Sequence, residues 1–339
     1  MKKNKKVLIT GISGMVGSHL AEYLFENTNW DIYGMIRWRS PLNNLLKIIP
    51  FANKGKRIHF VYADLRDSIS VDKIVEQVKP DYVHHLAAQS FPKTSFDSPL
   101  DTYDTNIQGT TRLLESLKRH SQNSIIHVCS SSEVYGRVPK DKIPIDENCT
   151  FHPASPYAIS KAGTDLVGRF YSEAYNMKTL VTRMFTHTGP RRGDVFAESS
   201  FAKQIAMIEA GLMDPVVMVG NLKSLRTIAD VRDAVRAYFM LVTCNPIPGE
   251  SYNIGGDYSC TVGDILKYLL SLSNIPNIEF KEDPERVRPI DADLQIPNTK
   301  KFREHTGWKP EIRFEQTMED LLNYWRTQIN LNPGAYIQR

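Results

Sequence analysis

The chain has 339 residues, of which 41% are hydrophobic and 24% are charged, and its formal net charge is +4. This length can bury a large hydrophobic core and exceeds the usual size of one compact domain, so we expect one large unit with a smaller partner. The nearly balanced charge, without basic runs interleaved with aromatic residues, argues against a nucleic-acid partner. No apolar run approaches the ~20 residues that a membrane span needs, so we expect no membrane partner.

The cysteines and the N-terminal segment bear on the compartment. The four cysteines, Cys129, Cys149, Cys244 and Cys260, are widely separated, which predicts neither a disulfide framework nor a zinc site. The basic start MKKNKK is followed by an apolar run that ends at Gly11, too short for the core of a signal peptide. We therefore expect a cytoplasmic protein in a reducing environment, with no bound metal.

Short β-branched runs alternate with amphipathic stretches in the first half of the chain. In order, the segments are KVLITG, SHLAEYLFEN, DIYGMIR, HFVYADL, SVDKIVEQV and DYVHHLAA, followed by NIQGTTRLLESLKRH, SIIHVCS and TLVTRMF. Such alternation is typical of parallel βαβ units. The predicted fold class is therefore α/β, with a Rossmann-type doubly wound parallel sheet.

The pattern is looser in the second half. VVMVG predicts a short strand, whereas IADVRDAVRAYFMLV and FEQTMEDLLNYWR predict helices. Because no repeat or low-complexity linker separates the halves, we expect a smaller mixed α/β substrate domain interleaved with the first domain. We place the Rossmann-type domain at residues 1–185 with a returning segment at about 220–255, and the substrate domain at about 186–219 and 256–330.

Three glycines, Gly11, Gly14 and Gly17, lie between the first predicted strand and a helix that we expect to begin near Gly17. Glycines permit a tight turn and let the backbone approach a pyrophosphate, which then lies at the positive end of the helix. This spacing and context predict a dinucleotide site, which also includes Met15 and Val16 of the same turn.

The end of the second predicted strand distinguishes between cofactors. A carboxylate there would accept hydrogen bonds from an adenosine ribose, whereas arginines suit a 2′-phosphate. This strand ends in Arg37 and Arg39 with no acid nearby, so we predict an NADP-binding domain in preference to an NAD-binding one. The fold predicts further cofactor contacts after the third and fourth strands, at Asp64, Leu65, Ala87 and Ala88.

Tyr157 and Lys161 in SPYAISKAG are four residues apart, which places both side chains on one face of a helix. A tyrosine pKa near ~10 is too high for a base at neutral pH, and a neighbouring ammonium favours the phenolate. Lys161 is therefore predicted to tune Tyr157 and to donate to the nicotinamide ribose. The hydroxyls of SSSEVYG, at the tip of the preceding strand, favour this catalytic interpretation over an ordinary surface pair.

The glycine triplet, the serine at a strand end and the YxxxK helix, in this order, resemble the extended short-chain dehydrogenase/reductase superfamily. Within it the chain is most similar to the GDP-mannose 4,6-dehydratases and related enzymes acting on GDP-sugars, including GDP-4-keto-6-deoxymannose reductases. The similar segments are GMIRWRS, HLAAQSFPKTSFDSP, SSSEVYG, SPYAISKAG, FTHTGPRRG, GNLKSLRTIADVRDAVRAY and RVRPIDADLQIPNTKKFREHTGWKP. The resemblance implies a hydro-lyase of deoxysugar biosynthesis that recycles its NADP while it converts a GDP-hexose to the GDP-4-keto-6-deoxy sugar.

The resemblance also implies roles for individual residues. Ser131 would bind the sugar hydroxyl that is oxidised, with Tyr157 as its base and Lys161 as the residue that tunes Tyr157. Glu133 would be the acid/base of the elimination. Additional cofactor contacts are implied for His187 and Arg192. Substrate contacts are implied for Gln89, Ser90, Ser132, Thr186, Lys203, Arg226 and Arg288.

Three segments leave alternatives open. Arg191 and Arg192 resemble a pair that helps a neighbouring subunit hold cofactor in the dehydratases, which implies a homodimer or homotetramer. Thr186 stands where the dehydratases usually carry asparagine, and SSFAKQIAMIEAG is more similar to the reductases. A GDP-4-keto-6-deoxy-sugar 4-reductase, in which Glu133 only orients substrate, therefore remains an alternative.

Two other functions and several sugars also stay open. A nucleotide-sugar 4-epimerase can carry a glutamate at this position, and a regulatory protein could keep the nucleotide-binding fold without the chemistry. The sugar could be mannose, a heptose or an N-acetylated hexose.

Overall fold

A computed structural model describes residues 4–287 and 294–335. The strands are β1 (Lys6–Thr10), β2 (Asp31–Ile36), β3 (Ile58–Tyr62), β4 (Tyr82–His85), β5 (Ile125–Cys129), β6 (Lys178–Met184), β7 (His187–Thr188), β8 (Val216–Val219), β9 (Leu225–Asp230), β10 (Ser251–Ile254), β11 (Tyr258–Thr261), β12 (Glu279–Glu282) and β13 (Leu294–Gln295). The helices are α1 (Met15–Asn27), α2 (Ile49–Asn53), α3 (Ser68–Val78), α4 (Pro92–Asp97), α5 (Pro99–Tyr103), α6 (Gly109–His120), α7 (Pro156–Tyr175), α8 (Ala197–Glu209), α9 (Val231–Thr243), α10 (Val262–Ser271), α11 (Lys300–Thr306) and α12 (Phe314–Leu331).

The larger sheet contains seven parallel strands in the order β10-β6-β5-β4-β1-β2-β3. Val7, Leu8 and Ile9 of β1 are fully buried, as expected for a parallel sheet whose two faces are both covered by helices. The strand order reverses between β1 and β4, which creates a crevice at the carboxyl ends of these strands. The predicted α/β fold class with a Rossmann-type parallel sheet is confirmed.

Two smaller sheets form a second, mixed α/β layer. β9 pairs with β11 in antiparallel fashion and with β7 and β13 in parallel, while β8 pairs with β12. Helices α8, α10 and α12 pack around a separate apolar cluster that includes Phe201, Leu266 and Leu322. Within the predicted returning segment at about 220–255, β10 joins the large sheet, whereas β9 lies in a small one.

Other features concern membranes, metals and thiols. In the two described ranges, no helix combines the length and apolar character needed to cross a bilayer. The same residues contain no group of three or more His, Cys, Asp or Glu side chains suited to a metal ion. All four cysteines are free thiols.

Candidate active site

A cavity of about 1370 Å³ opens at the carboxyl edge of the large sheet and extends to the small sheets. One wall consists of the segments that follow β1 to β6, together with the first turns of α7. The opposite wall comes from the start of α8 and from the segments around β8 and β9. Open α/β sheets bind ligands at this position, beside the switch point.

The glycine turn after β1 forms one end of this cavity. Gly11 has a φ of +72°, and a Cβ there would come within 2.9 Å of the backbone of Ala87. A Cβ on Gly17 would lie 2.7 Å from the Cα of Ile12. Helix α1 begins at Met15, two residues before the predicted start, because the amide of Gly14 already closes a turn onto the carbonyl of Gly11 at 3.0 Å.

This turn fits a pyrophosphate. The first turn of α1 contains no acidic residue, so the positive end of the helix dipole is not neutralised locally. The predicted residues of the turn all line the cavity, namely Gly11, Gly14, Met15, Val16 and Gly17.

The end of β2 places only one of its two arginines at the cavity. Arg37 lines it, whereas Arg39 is exposed and does not. The turn causes this difference, because the hydroxyl of Ser40 accepts a hydrogen bond from the Arg37 amide at 3.0 Å and the chain folds back. The turn therefore brings Arg37, but not Arg39, to the cavity, and cofactor contact by Arg39 stays a prediction.

The predicted contacts after β3 and β4 reach the same cavity. Asp64, Leu65, Ala87 and Ala88 all line it. Hydrogen bonds from Arg66 to Asp64, at 3.2 and 3.1 Å, lower the pKa of that carboxyl. The carboxylate of Asp64 is therefore ionised and paired with Arg66 at the edge of the cavity.

The four predicted catalytic residues meet at the carboxyl end of β5. Ser131, Glu133, Tyr157 and Lys161 all line the cavity. The Ser131 hydroxyl accepts a hydrogen bond from the Glu133 amide at 3.2 Å, and the same hydroxyl lowers the pKa of Tyr157. Lys161 donates from Nζ to the carbonyl of Cys129 at 2.5 Å. Two segments far apart in the sequence thus form one cluster.

Burial dominates the electrostatics of this cluster. It raises the pKa of Tyr157, although the bond with Ser131 and the positive charge of Arg192 act in the opposite direction. Burial also lowers the pKa of Lys161. The sequence predicts that Lys161 favours the phenolate of Tyr157, whereas in the protein alone desolvation is the largest influence on the pKa of Tyr157.

Helix α7 is fixed by polar residues that the sequence analysis did not single out. Ser155 caps the helix by accepting from the Ala158 amide at 3.0 Å, and the buried Ser95 accepts from the Tyr157 amide at 3.0 Å. Asn106 donates to the Ser160 hydroxyl at 2.8 Å, and its carboxamide also bonds the backbone of Gln89. Serine followed by proline is a recognisable helix start, but the other partners are too distant in sequence to give a local signal.

Most predicted substrate contacts also border the cavity. Gln89, Ser90, Ser132, Thr186 and Arg226 line it. Lys203 is buried and does not line it, because its ammonium is bonded to Asp194 at 2.8 Å. Asp194 itself lines the cavity. Arg288 lies outside the described residues.

The segment after β6 brings two predicted cofactor contacts to the cavity. His187 and Arg192 both line it, and burial lowers the pKa of His187 to about 4. Arg192 is bonded to Glu198 at 3.1 Å and lies 3.4 Å from the ring centre of Phe196. Arg191, the other member of the predicted intersubunit pair, is bonded to Glu22 of its own chain at 2.6 Å.

The parallel sheet, the glycine turn at its switch point and the Ser-Tyr-Lys cluster at the same edge define an extended short-chain dehydrogenase/reductase. The sequence model of the GDP-mannose 4,6 dehydratase family matches residues 8–321, and the chain belongs to this family.

Individual relatives include both a dehydratase and a reductase. A GDP-mannose 4,6-dehydratase of Yersinia enterocolitica is 31% identical over 350 residues, covering 94% of this chain and 93% of the relative. A GDP-6-deoxy-D-mannose reductase of Pseudomonas aeruginosa is 28% identical and covers 96% of this chain and 98% of the relative. A solved structure of RMD from Pseudomonas aeruginosa, complexed with NADPH, superposes with a TM-score of 0.81 at 28% identity, covering 96% of this chain and 100% of that one.

Proposed function

We propose that this protein is a nucleotide-sugar 4,6-dehydratase that converts a GDP-hexose to the GDP-4-keto-6-deoxy sugar. The observation that carries this proposal is the position of Glu133, bonded through its amide to Ser131 in the same cluster as Tyr157 and Lys161. Oxidation of a sugar hydroxyl needs the serine, tyrosine and lysine. A carboxylate beside them supplies a second acid/base, which elimination of water requires.

NADP is the cofactor of the proposed reaction. The fit rests on the cradle at Gly11 and Gly17, which a Cβ would fill, and on Arg37, whose charge suits a 2′-phosphate. We infer that Lys161 and Tyr157 contact the nicotinamide ribose. His187 and Arg192 line the same cavity. When bound, NADP+ would supply hydride chemistry, because it would accept a hydride from the sugar and later return it.

Tyr157 acts first in the proposed mechanism. It takes the proton from the hydroxyl at carbon 4, while Ser131 holds that hydroxyl by a hydrogen bond. Because burial raises the pKa of Tyr157, proton removal depends on nearby positive charge. Arg192 supplies such a charge within the chain, and Lys161 lies one helical turn away.

Glu133 acts second. A ketone at carbon 4 acidifies the proton on carbon 5, and the carboxylate of Glu133 removes it. The carboxylic acid then delivers a proton to the hydroxyl that leaves carbon 6, so that one water molecule departs. Glu133 is half-buried at the cavity wall, where a carboxylate can be both partly desolvated and accessible to the sugar.

The large sheet is proposed to hold the cofactor and the smaller layer to hold the GDP-sugar. Arg226 lines the far wall of the cavity, where its charge suits a diphosphate. The free thiols fit a cytoplasmic location.

A homodimer or homotetramer is proposed as the functional assembly. Helix α7 exposes three large apolar side chains, with Ile159 44%, Leu166 52% and Phe170 53% exposed. Arg191 and Arg192 both have partners within their own chain. The exposed apolar surface of α7, rather than these arginines, therefore supports an assembly of subunits.

A GDP-4-keto-6-deoxy-sugar 4-reductase is the second candidate. The similarity to the GDP-6-deoxy-D-mannose reductase, which extends over 96% of this chain, specifically favours it. In that reaction NADPH would be consumed once per sugar, and Glu133 would only orient the substrate.

The experiment that separates these functions uses purified protein and a panel of GDP- and UDP-sugars without added reductant. Mass spectrometry is expected to detect a product lighter than one GDP-hexose by a water molecule, with no net change in NADPH. A parallel reaction contains NADPH and a GDP-4-keto-6-deoxy sugar. If NADPH is oxidised in the parallel reaction and the GDP-hexoses stay intact in the first, the protein is a reductase and the dehydratase proposal is wrong.

A further inference from the structure

A buried arginine lies beneath the candidate site and connects two of its segments. Arg183 on β6 is 2% exposed, and its guanidinium donates to both carboxylate oxygens of Asp165, at 2.8 and 3.1 Å. Asp165 is fully buried on α7, one helical turn after Lys161. This bidentate pair fixes β6 to the helix that carries Tyr157.

The same guanidinium also reaches the segment that carries Glu133. Its Nη1 donates to the Tyr135 hydroxyl at 3.0 Å, and that hydroxyl donates to the Asn253 side chain at 2.8 Å. Tyr135 and Asn253 are both fully buried. The tyrosine hydroxyl therefore has both a donor and an acceptor in fixed positions, where water cannot replace either partner.

The backbone transmits the position of Tyr135 to Glu133. Both belong to the tight turn Ser132–Tyr135, which is closed by a hydrogen bond from the Gly136 amide to the Glu133 carbonyl at 3.1 Å. The φ of Gly136 is +57°, a conformation that only glycine adopts readily. A displacement of the Tyr135 ring would therefore displace the backbone of Glu133.

We propose that Tyr135 and Arg183 are positioning residues that fix the position of Glu133 relative to the helix that carries Tyr157 and Lys161. The inference rests on the proposed function, because Glu133 moves protons only in the elimination. Neither Tyr135 nor Arg183 lines the cavity, so both act through Glu133 and α7. A buried ion pair is weak evidence for stability alone, whereas acid/base chemistry is sensitive to small displacements.

Exchange of the carbon 5 proton measures Glu133 separately from hydride transfer. The probe is a GDP-4-keto-6-deoxyhexose in D₂O with the NADP-loaded protein. Glu133 takes the proton from carbon 5 and leaves an enolate, its carboxyl proton exchanges with solvent, and a deuteron returns to carbon 5. Proton NMR follows the loss of the carbon 5 signal, with the anomeric signal at carbon 1, which is not adjacent to the ketone, as an internal reference.

The test variant is Tyr135→Phe, which removes only the buried hydroxyl. We expect carbon 5 exchange to be slower by about tenfold or more, since misplacement of a catalytic group by an ångström can cost ~10²-fold. Arg183→Lys, which keeps a charge but loses the fork to Asp165 and Tyr135, is expected to slow it similarly. Rates are normalised to the fraction of protein that binds NADPH, so that partial unfolding cannot imitate the effect.

The matched control is Tyr252→Phe. Tyr252 is 1% exposed, neighbours Asn253 in sequence, and has its hydroxyl bonded to His305 at 2.7 Å, away from the turn of Glu133. Its exchange rate is expected to equal that of the wild type. Equal rates for Tyr135→Phe and the wild type would overturn this inference alone. Absence of both exchange and dehydration in the wild type would instead overturn the proposed function, and the inference with it.

Discussion

In the proposed mechanism, Glu133 is the residue that separates elimination from simple hydride transfer. Ser131, Tyr157 and Lys161 suffice for oxidation or reduction of a sugar hydroxyl, and all three line the same cavity as Glu133. Glu133 lies on the turn after Ser131, and the Ser131 hydroxyl accepts a hydrogen bond from the Glu133 amide at 3.2 Å. In the proposed mechanism, the side chain of Glu133 approaches a sugar that Ser131 and Tyr157 hold.

Replacement of Glu133 by glutamine should remove proton transfer while keeping the size of the side chain. We expect dehydration to fall by ~10²–10⁴-fold, the usual worth of general acid/base catalysis. NADPH affinity, followed by fluorescence, should be unchanged. Glu76→Gln, on an exposed position of α3, is the control and should retain full activity. Dehydration at the normal rate by Glu133→Gln would remove the assigned role.

The four predicted catalytic residues all line the cavity, whereas two of the predicted charged binding residues, Lys203 and Arg39, do not. The spacing of Tyr157 and Lys161 defines a helix face, and a helix preserves that relation in the fold. Lys203 and Arg39 depend instead on contacts that spacing does not encode. Lys203 is bonded to Asp194 at 2.8 Å, and Arg39 lies in a turn that a hydrogen bond from the Arg37 amide to the Ser40 hydroxyl folds back.

At the level of elements, the βαβ half of the chain was predictable because its strands are buried runs separated by amphipathic helices. The second half was less so. Strands β7 and β13 have only two residues each and pair with β9 from distant parts of the chain. Such short strands carry no hydrophobic period of their own, so tertiary contacts decide their conformation.

In the turn between β1 and α1, we expect substitution of Gly17 to be more damaging than substitution of Gly14. Gly17→Ala should abolish cofactor binding and lower the melting temperature, because its Cβ would lie 2.7 Å from the Cα of Ile12. Gly14→Ala should be milder, since the nearest atom to its Cβ is the Gly11 carbonyl oxygen at 3.3 Å. NADPH titration and thermal melting measure both effects. Equal effects of the two substitutions would contradict this account of the turn.

At the level of the whole molecule, three histidines lie in the middle of the large sheet. His84 and His127 are 3.2 Å apart between their Nδ1 atoms, and His85 lies between the hydroxyls of Thr10 and Thr110. Burial lowers the pKa of His84 and that of His85 to about 3, and lowers that of His127 well below its usual value. The folded protein therefore holds these histidines neutral.

Acid should destabilise the fold through these histidines. Each folded pKa lies below the ordinary value of 6.5, so the unfolded chain takes up protons first. The stabilisation is complete above that value and is lost as the pH falls toward about 3. His84 and His85 should each lower the free energy of unfolding by roughly 2 kcal/mol between about pH 7 and about pH 5, and His127 should act in the same direction.

Urea denaturation across this pH range checks the prediction. His84→Asn removes one titrating group, so its unfolding free energy should depend less steeply on pH than that of the wild type. His59→Asn, at a partly exposed position of β3, should keep the wild-type dependence. Parallel curves for His84→Asn and the wild type would show that this histidine does not contribute.

The proposed reaction takes a hydride from carbon 4 and returns it to carbon 6 of the same sugar, so a deuterium label at carbon 4 reports on it directly. The purified protein is incubated with the labelled GDP-hexose and unlabelled NADP+, and the product is examined by mass spectrometry and deuterium NMR. We expect a product that has lost one water molecule and carries its deuterium at carbon 6. A product that has not lost a water molecule, or one whose deuterium has passed to NADP in solution, would contradict the proposal that the protein is a dehydratase.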